Sequence, residues 1–472
     1  MRIGRTSIVH FGSQLIATVV GFVATIYFAR RLGADTLGVY FLTISVYLWV
    51  EILASGGIQS AVTKRLSEGE KQARRLTAAL LVATLILVLF ILGLFAFADT
   101  VERYLGASVV PGLILLTVVG TAFSLLRSVL NGEKKVHVQA LLTPVDRIAR
   151  AALQIGLVVA GSGLAGLLYG YFGAMVVAIV VGAFFVSTRF TIPCREDFVS
   201  ILSYAKYAWL NGINTRAFAS TDTIVLGFFV SSTLIGVYEI AWNVASILAV
   251  FGSSISQAVF PEISSLSADD EVDRATSLIS DALAFTGLFT IPGLVGGLIL
   301  GEWILGIYGS EFRQGSLVLA VLITARLLSA YQWQFINALG ALDHPDRAFR
   351  INLAFLVLNV VLNVVLIYFY GWIGAAIATT LSAAVTLVLG YRSLQALIDV
   401  PIPYDEIGRQ VVAAGAMGTV IYVLSLVIEV QNHTALLLVG LGAAVYFVVL
   451  TAISNRFRTT VLANISPKPT ED

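Results

Sequence analysis

Along most of the 472 residues, apolar side chains follow one another without the alternation of a strand or the polar face of a soluble helix. Residues 80–98, 113–126, 353–370 and 436–453 are nearly unbroken apolar runs. A run of about 20 apolar residues matches the hydrocarbon thickness of a bilayer when helical. The strands of a membrane barrel read instead as alternating segments of about ten residues. The pattern predicts fourteen helical spans, at about 8–29, 38–60, 76–98, 109–130, 139–160, 164–187, 205–230, 234–260, 277–300, 315–340, 349–369, 373–397, 409–428 and 434–453. The first, second, seventh and eighth carry polar residues. A span that faces a water-filled cavity tolerates such a stripe, whereas one that faces lipid on all sides does not.

The pattern also repeats. Leu37-Gly38-Val39-Tyr40 is matched 198 residues later by Ile235-Gly236-Val237-Tyr238, and the same offset carries Ser55 onto Ser253 and Gln59 onto Gln257. Gly163-x-x-Gly166 returns as Gly371-x-x-Gly374 at an offset of 208, which implies about ten inserted residues in the second copy. Six spans separate the copies, so they share one orientation: a parallel repeat, a transporter architecture whose substrate site lies where the repeats meet. The expected division is a six-helix bundle over 1–190, a second over 204–400, two additional helices over 405–456 and a tail over 457–472.

Composition agrees with a membrane protein. The chain is 58% hydrophobic and 12% charged, against about 45–50% and 25% in soluble proteins. A net charge of +1 gives no bulk attraction to nucleic acid. The Lys and Arg are sorted. Loops on the N-terminal side of the fourteen-span arrangement hold 23 of the 29, the opposite side holds Arg30, Arg31, Arg103 and Arg313, and Arg216 and Arg326 fall within spans. This asymmetry places both termini in the cytoplasm. Met1-Arg2-Ile3-Gly4-Arg5 resembles the start of a signal peptide, but the apolar stretch runs to Ala29, longer than the usual 7–15 residues, and reads as a retained first span. The single cysteine, Cys194, leaves no intrachain disulfide, and four scattered histidines show no metal-ligand spacing. No phosphate-binding Walker motif is present. No cofactor or metal is therefore expected, and coupling to Na+ or H+ is left open.

Asp222 to Leu266 reads DTIVLGFFVSSTLIGVYEIAWNVASILAVFGSSISQAVFPEISSL. This string resembles the seventh and eighth helices of the polysaccharide transporter (Wzx-type) flippases, in the superfamily that also holds the MATE exporters and the lipid II flippases. The stretch 342–382, with Asn359, Asn363 and its Gly371-x-x-Gly374-Ala375-Ala376 turn, is similar to their helices eleven and twelve, and 11–42 to their first hairpin. The resemblance implies an all-α fold in which two six-helix bundles form a V-shaped central cavity. It also implies a polyprenyl- or dolichyl-(pyro)phosphate carrier bearing a saccharide, moved across the cytoplasmic membrane by alternating access. Membrane lipids and glycosyltransferases of the same pathway are the implied partners.

Moving such a lipid breaks no bond; the barrier is a phosphate and sugars in hydrocarbon. An arginine at mid-membrane costs about 2.5–3.5 kcal/mol on insertion scales, so it is a candidate by default, and its planar fork suits phosphate. Arg216 is the leading candidate, beside Asn211, Asn214, Ser220, Thr221 and Asp222; a structural polar network among helices is the equal alternative. Arg326 either lines the cavity or neutralises Glu51 or Glu239. Those two acids are either ion-pair partners or proton or sodium ligands. Arg30 and Arg31 close the first span, as interfacial anchors or as groups that meet the phosphate on its way out. Arg147 and Arg150 open the fifth span as anchors. Trp242, Asn243, Gln257, Gln59 and Gln14 form either a sugar-facing stripe or interhelical hydrogen bonds. Pro144 and Pro292 are expected kinks. The alternatives to a flippase are a MATE-type cation-coupled exporter of amphipathic compounds and a membrane glycosyltransferase or ligase. The extra helix pair and Arg216 speak against the first, and the short outer loops against the second.

Overall fold

The computed structural model describes residues 2–55, 57–269 and 271–459, with side chains described for 20–55, 57–209, 221–269 and 271–459. Every regular element among them is helical: α1 (Arg2–Ser55), α2 (Ile58–Ser67), α3 (Gln72–Ala96), α4 (Ala98–Leu105), α5 (Val110–Gly132), α6 (Val136–Val159), α7 (Gly163–Ala183), α8 (Arg195–Phe229), α9 (Ser232–Ala268), α10 (Val272–Thr286), α11 (Thr290–Gly306), a 3-10 turn (Ser310–Gly315), α12 (Ser316–Ala341), α13 (Pro345–Tyr370), α14 (Trp372–Gln395), α15 (Tyr404–Val427) and α16 (Asn432–Ile453). Each expected span falls on one of these helices or on consecutive ones; 38–60 covers the end of α1 and the start of α2, and 277–300 covers α10 and α11. Among the described residues, eleven helical segments are long and apolar enough to cross a membrane. That is three fewer than the pattern predicts, for local reasons. α1 is broken at Gly33, where φ is 80° and ψ 171°, yet counts once. α6 carries Asp146, Arg147 and Arg150 near its centre, and α8 begins with Arg195, Glu196 and Asp197 and has polar residues along its length.

Two expectations change here. Arg127, Arg147 and Arg150, counted above among loop cations, lie inside α5 and α6. The kink expected at Pro292 is an interruption slightly earlier, at residues 287–289 between α10 and α11, and Pro144 lies inside α6.

The chain forms two compact units, Met1–Gly236 and Val237–Asp472. In the first, α6 and α7 form an antiparallel hairpin, α1 packs on α5, α6 and α8, and α2 wedges between α5 and α8 around Ile58, Leu66, Leu76, Val129 and Ile201. The turn after α5 is held by Glu133, whose carboxylate accepts from the Ser187 and Thr188 backbone N–H groups (3.0 and 2.7 Å), the Thr188 hydroxyl and Lys135. Burial pushes this carboxyl up, but the four donors outweigh it and hold it below the usual carboxylate range. In the second unit α12 is central, packed on α11 and α14. The α15–α16 hairpin lies on α11 through Ala413, Met417, Ile421, Leu438 and Tyr446.

In lipid, apolar burial gives helices little reason to associate, and close backbone approach takes its place. The repeated glycines supply that approach. A Cβ on Gly38 would lie 1.7 Å from the carbonyl oxygen of Ser232, and one on Gly236 would lie 2.1 Å from that of Ala34. Ala34 and Ser232, like Gly38 and Gly236, are 198 residues apart, so the contact is symmetric in the repeat. Beside it, Asp35 accepts hydrogen bonds from the hydroxyls of Ser232 and Thr233. The second repeated motif behaves alike in both copies: Gly163 (φ 50°) and Gly371 (φ 60°) both make the turn into the helix that follows.

Gly38→Ala is therefore expected to lower the thermal unfolding midpoint of the detergent-purified protein. Gly93→Ala, where an added Cβ meets nothing within 4 Å, should raise stability by about 0.5–1 kcal/mol through backbone entropy and helix propensity. Equal effects of the two substitutions would show that the Gly38 contact has no energetic role.

Candidate functional site

In the second unit, Arg326 sits ten residues into the 26-residue α12, near its middle. Nothing in the local helical pattern calls for a cation there, and α9 supplies the groups that make it tolerable. Arg326 Nη2 donates to Ser246 Oγ at 2.6 Å, and its guanidinium lies 3.8 Å from the centre of the Trp242 ring. Trp242 and Ser246 are one helical turn apart, and the Ser246 hydroxyl donates in turn to the Trp242 carbonyl at 2.6 Å. A guanidinium on an indole face is a strong cation–π pair when desolvated, about 2 kcal/mol. Arg326 lines a cavity of about 190 Å³ with Ser246, Ser253, Ser329 and Trp333. At about 30 Å³ per water this is room for roughly six waters, space for a phosphate-sized group but not for an oligosaccharide.

Further along the same helix pair, Gln334 accepts from Ser256 (2.8 Å) and donates to the Gly252 carbonyl (3.1 Å). Gln332 is 1% exposed, and neither of its amide atoms has a hydrogen-bond partner among the described residues. Asn243, Ser253 and Gln257 lie exposed on α9, interleaved with the exposed apolar Ile247, Val250 and Phe251. Glu239, half-buried, precedes Asn243 by one turn.

The first unit holds a second polar group. Asp146, Arg150 and Gln154 follow one another at four-residue spacing on one face of α6. Asp146 and Arg150 form an ion pair, and the Arg150 guanidinium lies 3.5 Å from the centre of the Tyr171 ring on α7. Gln154 donates to the Tyr40 hydroxyl on α1 at 3.0 Å and to the Leu167 carbonyl at 2.7 Å. Asp146 is 6% exposed and has one oxygen without a hydrogen-bond partner. Nearby on α5, Ser124 receives a 2.6 Å hydrogen bond from Gln59, whose amide nitrogen also reaches Glu51 at 3.5 Å. No group of three or more acidic, histidine or cysteine side chains among the described residues is arranged to hold a metal ion.

The structure thus brings together Arg326 with Trp242, and Glu51 with Gln59. Asn243 and Gln257 both lie exposed on α9. Arg30 and Arg31 are exposed just before the Gly33 break, and Asp222 is half-buried in α8. The side chains of Arg216, Asn214 and Gln14 lie outside the described residues. Three polar residues of these groups were missed in the sequence: Asp146, Arg150 as a half-buried cation paired with it, and Ser246. For the first two a signal existed, opposite charges four residues apart followed by an amide at the same spacing in an apolar helix. Ser246 gave none.

Asp146→Asn should cost about 1–3 kcal/mol of stability, because it removes the counter-charge of the half-buried Arg150. Replacing both, as Asp146→Leu with Arg150→Met, should recover much of that loss in thermal unfolding. A double variant as unstable as the single one would show that the pair is not the source.

Comparison with known proteins agrees with this architecture. Residues 3–267 match the family model described as "Polysaccharide biosynthesis protein". Two proteins of Haloferax volcanii are similar over nearly the whole chain. "Probable flippase AglR" is 34% identical, covering 98% of each chain, and "Probable low-salt glycan biosynthesis flippase Agl15" is 31% identical, covering 98% of this chain and 99% of that one. A solved structure of the lipid II flippase MurJ superposes with a TM-score of 0.80 at 18% identity, covering 96% of this chain and all of that one, which shows a common fold. With more than half its length matched by the family model and a relative above 30% identity end to end, this multi-pass membrane protein belongs to the polysaccharide biosynthesis protein family of all-α transporters.

Proposed function

We propose that the protein is a flippase that moves a lipid-linked saccharide across the membrane by alternating access, and that it is a transporter and not an enzyme. The observation that carries this is Arg326: a cation in the middle of a membrane helix, held against Trp242 and Ser246 at the wall of a cavity. A charge in that position is costly and is matched by a substrate whose phosphate must cross the same depth. The flippases among its relatives support the reading. The carrier is read as a polyprenyl or dolichyl (pyro)phosphate. Asn243, Ser253 and Gln257, exposed on α9, offer hydrogen bonds to sugar hydroxyls. Arg216 is assigned to the same path on the strength of its position in α8. Glycosyltransferases that build the glycan are the expected protein partners, and Na+ or H+ the candidate coupling ions.

Arg326→Ala is expected to insert at normal levels in a deletion strain, leave surface glycan unrestored and let lipid-linked glycan accumulate. Arg326→Lys should restore it in part, keeping the charge but losing the planar fork and its stacking on Trp242. Full glycosylation by the alanine variant would remove Arg326 from the transport path.

The fourteen-crossing arrangement with both termini cytoplasmic is part of the same proposal and rests on the sorting of Lys and Arg. A reporter inserted after Ile192, exposed in the loop between α7 and α8, should read cytoplasmic, and one after Glu429, between α15 and α16, should read external. The same side for both would overturn it.

A further inference from the structure

A cavity of about 480 Å³ lies at the end of the α13–α14 hairpin, lined by Asp346, Arg347, Arg350, Ile351, Leu389 and Ser393. Arg347 donates to the Ser393 carbonyl at 3.2 Å, which sets its guanidinium between the first turn of α13 and the last turns of α14. Arg350 faces Asp346 at 3.9 Å, with the two side chains 80% and 61% exposed. A pair that long and that wet contributes little, so Arg350 is not committed to it. The local charge is two guanidiniums and one carboxylate, a net of one positive charge.

From the cavity onward both helices turn apolar side chains outward. On α13 these are Leu353, Val357, Val360 and Val364; on α14 they are Leu389, Val385 and Leu381. Each set repeats every three or four residues, so each is one stripe along its helix. Because α13 and α14 are antiparallel neighbours joined at Gly371, the stripes run side by side, and the arginines stand at one end of both. Two apolar ridges capped by cations have the form of a lipid: chains along the ridges, phosphate at the guanidiniums.

We propose that this cleft binds one anionic phospholipid of the surrounding bilayer, its phosphodiester held by Arg347 and Arg350 and its chains lying along the α13 and α14 stripes. The charge complement selects this occupant. One net positive charge matches the single charge of a phosphodiester, whereas Asp346 repels the additional charge of a pyrophosphate. The polar lining is otherwise one serine, too little to recognise a saccharide. The site is therefore distinct from the transport path through Arg326, and the inference stands independently of the proposed substrate.

The test is titration of the purified protein with phosphatidylglycerol, bound copies being counted by native mass spectrometry, with phosphatidylcholine as the neutral-headgroup control. An arginine near an anionic headgroup is worth about fivefold in affinity. Arg347→Gln with Arg350→Gln should thus weaken one phosphatidylglycerol site by about 25-fold and leave phosphatidylcholine binding unchanged. Asp346→Asn should tighten the same site, an effect that loss of packing would not produce and that keeps the test intact if the double variant folds poorly. The proposal fails if Asp346→Asn leaves binding unchanged or weaker, if the folded double variant binds phosphatidylglycerol like the parent, or if polyprenyl phosphate displaces phosphatidylglycerol at lower concentration than phosphatidylglycerol itself requires, which would make the cleft a carrier site.

Discussion

A guanidinium inside an apolar helix has to be neutralised or solvated where it stands, and the arrangement of both units answers to that requirement. In the second unit the answer is an indole face and a serine hydroxyl, presented by α9 one turn apart to Arg326. In the first it is a carboxylate one turn back along α6 and the ring of Tyr171 across on α7. The two solutions differ in their surroundings: Asp146 pairs with Arg150 along one face of α6, whereas Arg326, stacked on Trp242 and bonded to Ser246, borders a cavity.

Helices that carry such groups still have to be held together in a solvent that does not drive them together. Close backbone approach and buried hydrogen bonds do this. Gly38 and Gly236 let the chain cross itself with no room for a methyl group, and Gly120 and Gly170 do the same for Tyr47 and Gln154. The large apolar side chains are largely left to the lipid: Leu85, Leu89 and Phe95 on α3, and Val412, Val423 and Leu426 on α15, are exposed. A soluble protein would bury such residues, so their exposure is itself a record of the solvent.

Reading the chain by itself determined the class of molecule, the place of its helices and its family, because each rests on features confined to one stretch. Apolar length decides a span, a string such as 222–266 decides a resemblance, and an offset of 198 residues decides a repeat. It also picked out Arg326, Trp242, Gln59 and Glu51 as polar residues at membrane depth. It did not pair Arg326 with Trp242, since the two are 84 positions apart on different helices and no period connects α9 to α12. It set Arg150 at a membrane boundary, because a cation near a helix start is usually an anchor; only the tertiary structure shows it half-buried against Tyr171. The cleft at Arg347 and Arg350 was legible as two basic residues and no more, until α14 brought Leu389 and Ser393 against them. Sequence acts along the helix, where hydrophobic length and turn chemistry are local, whereas the energy of a buried charge depends on what surrounds it, and that is decided by which helices meet.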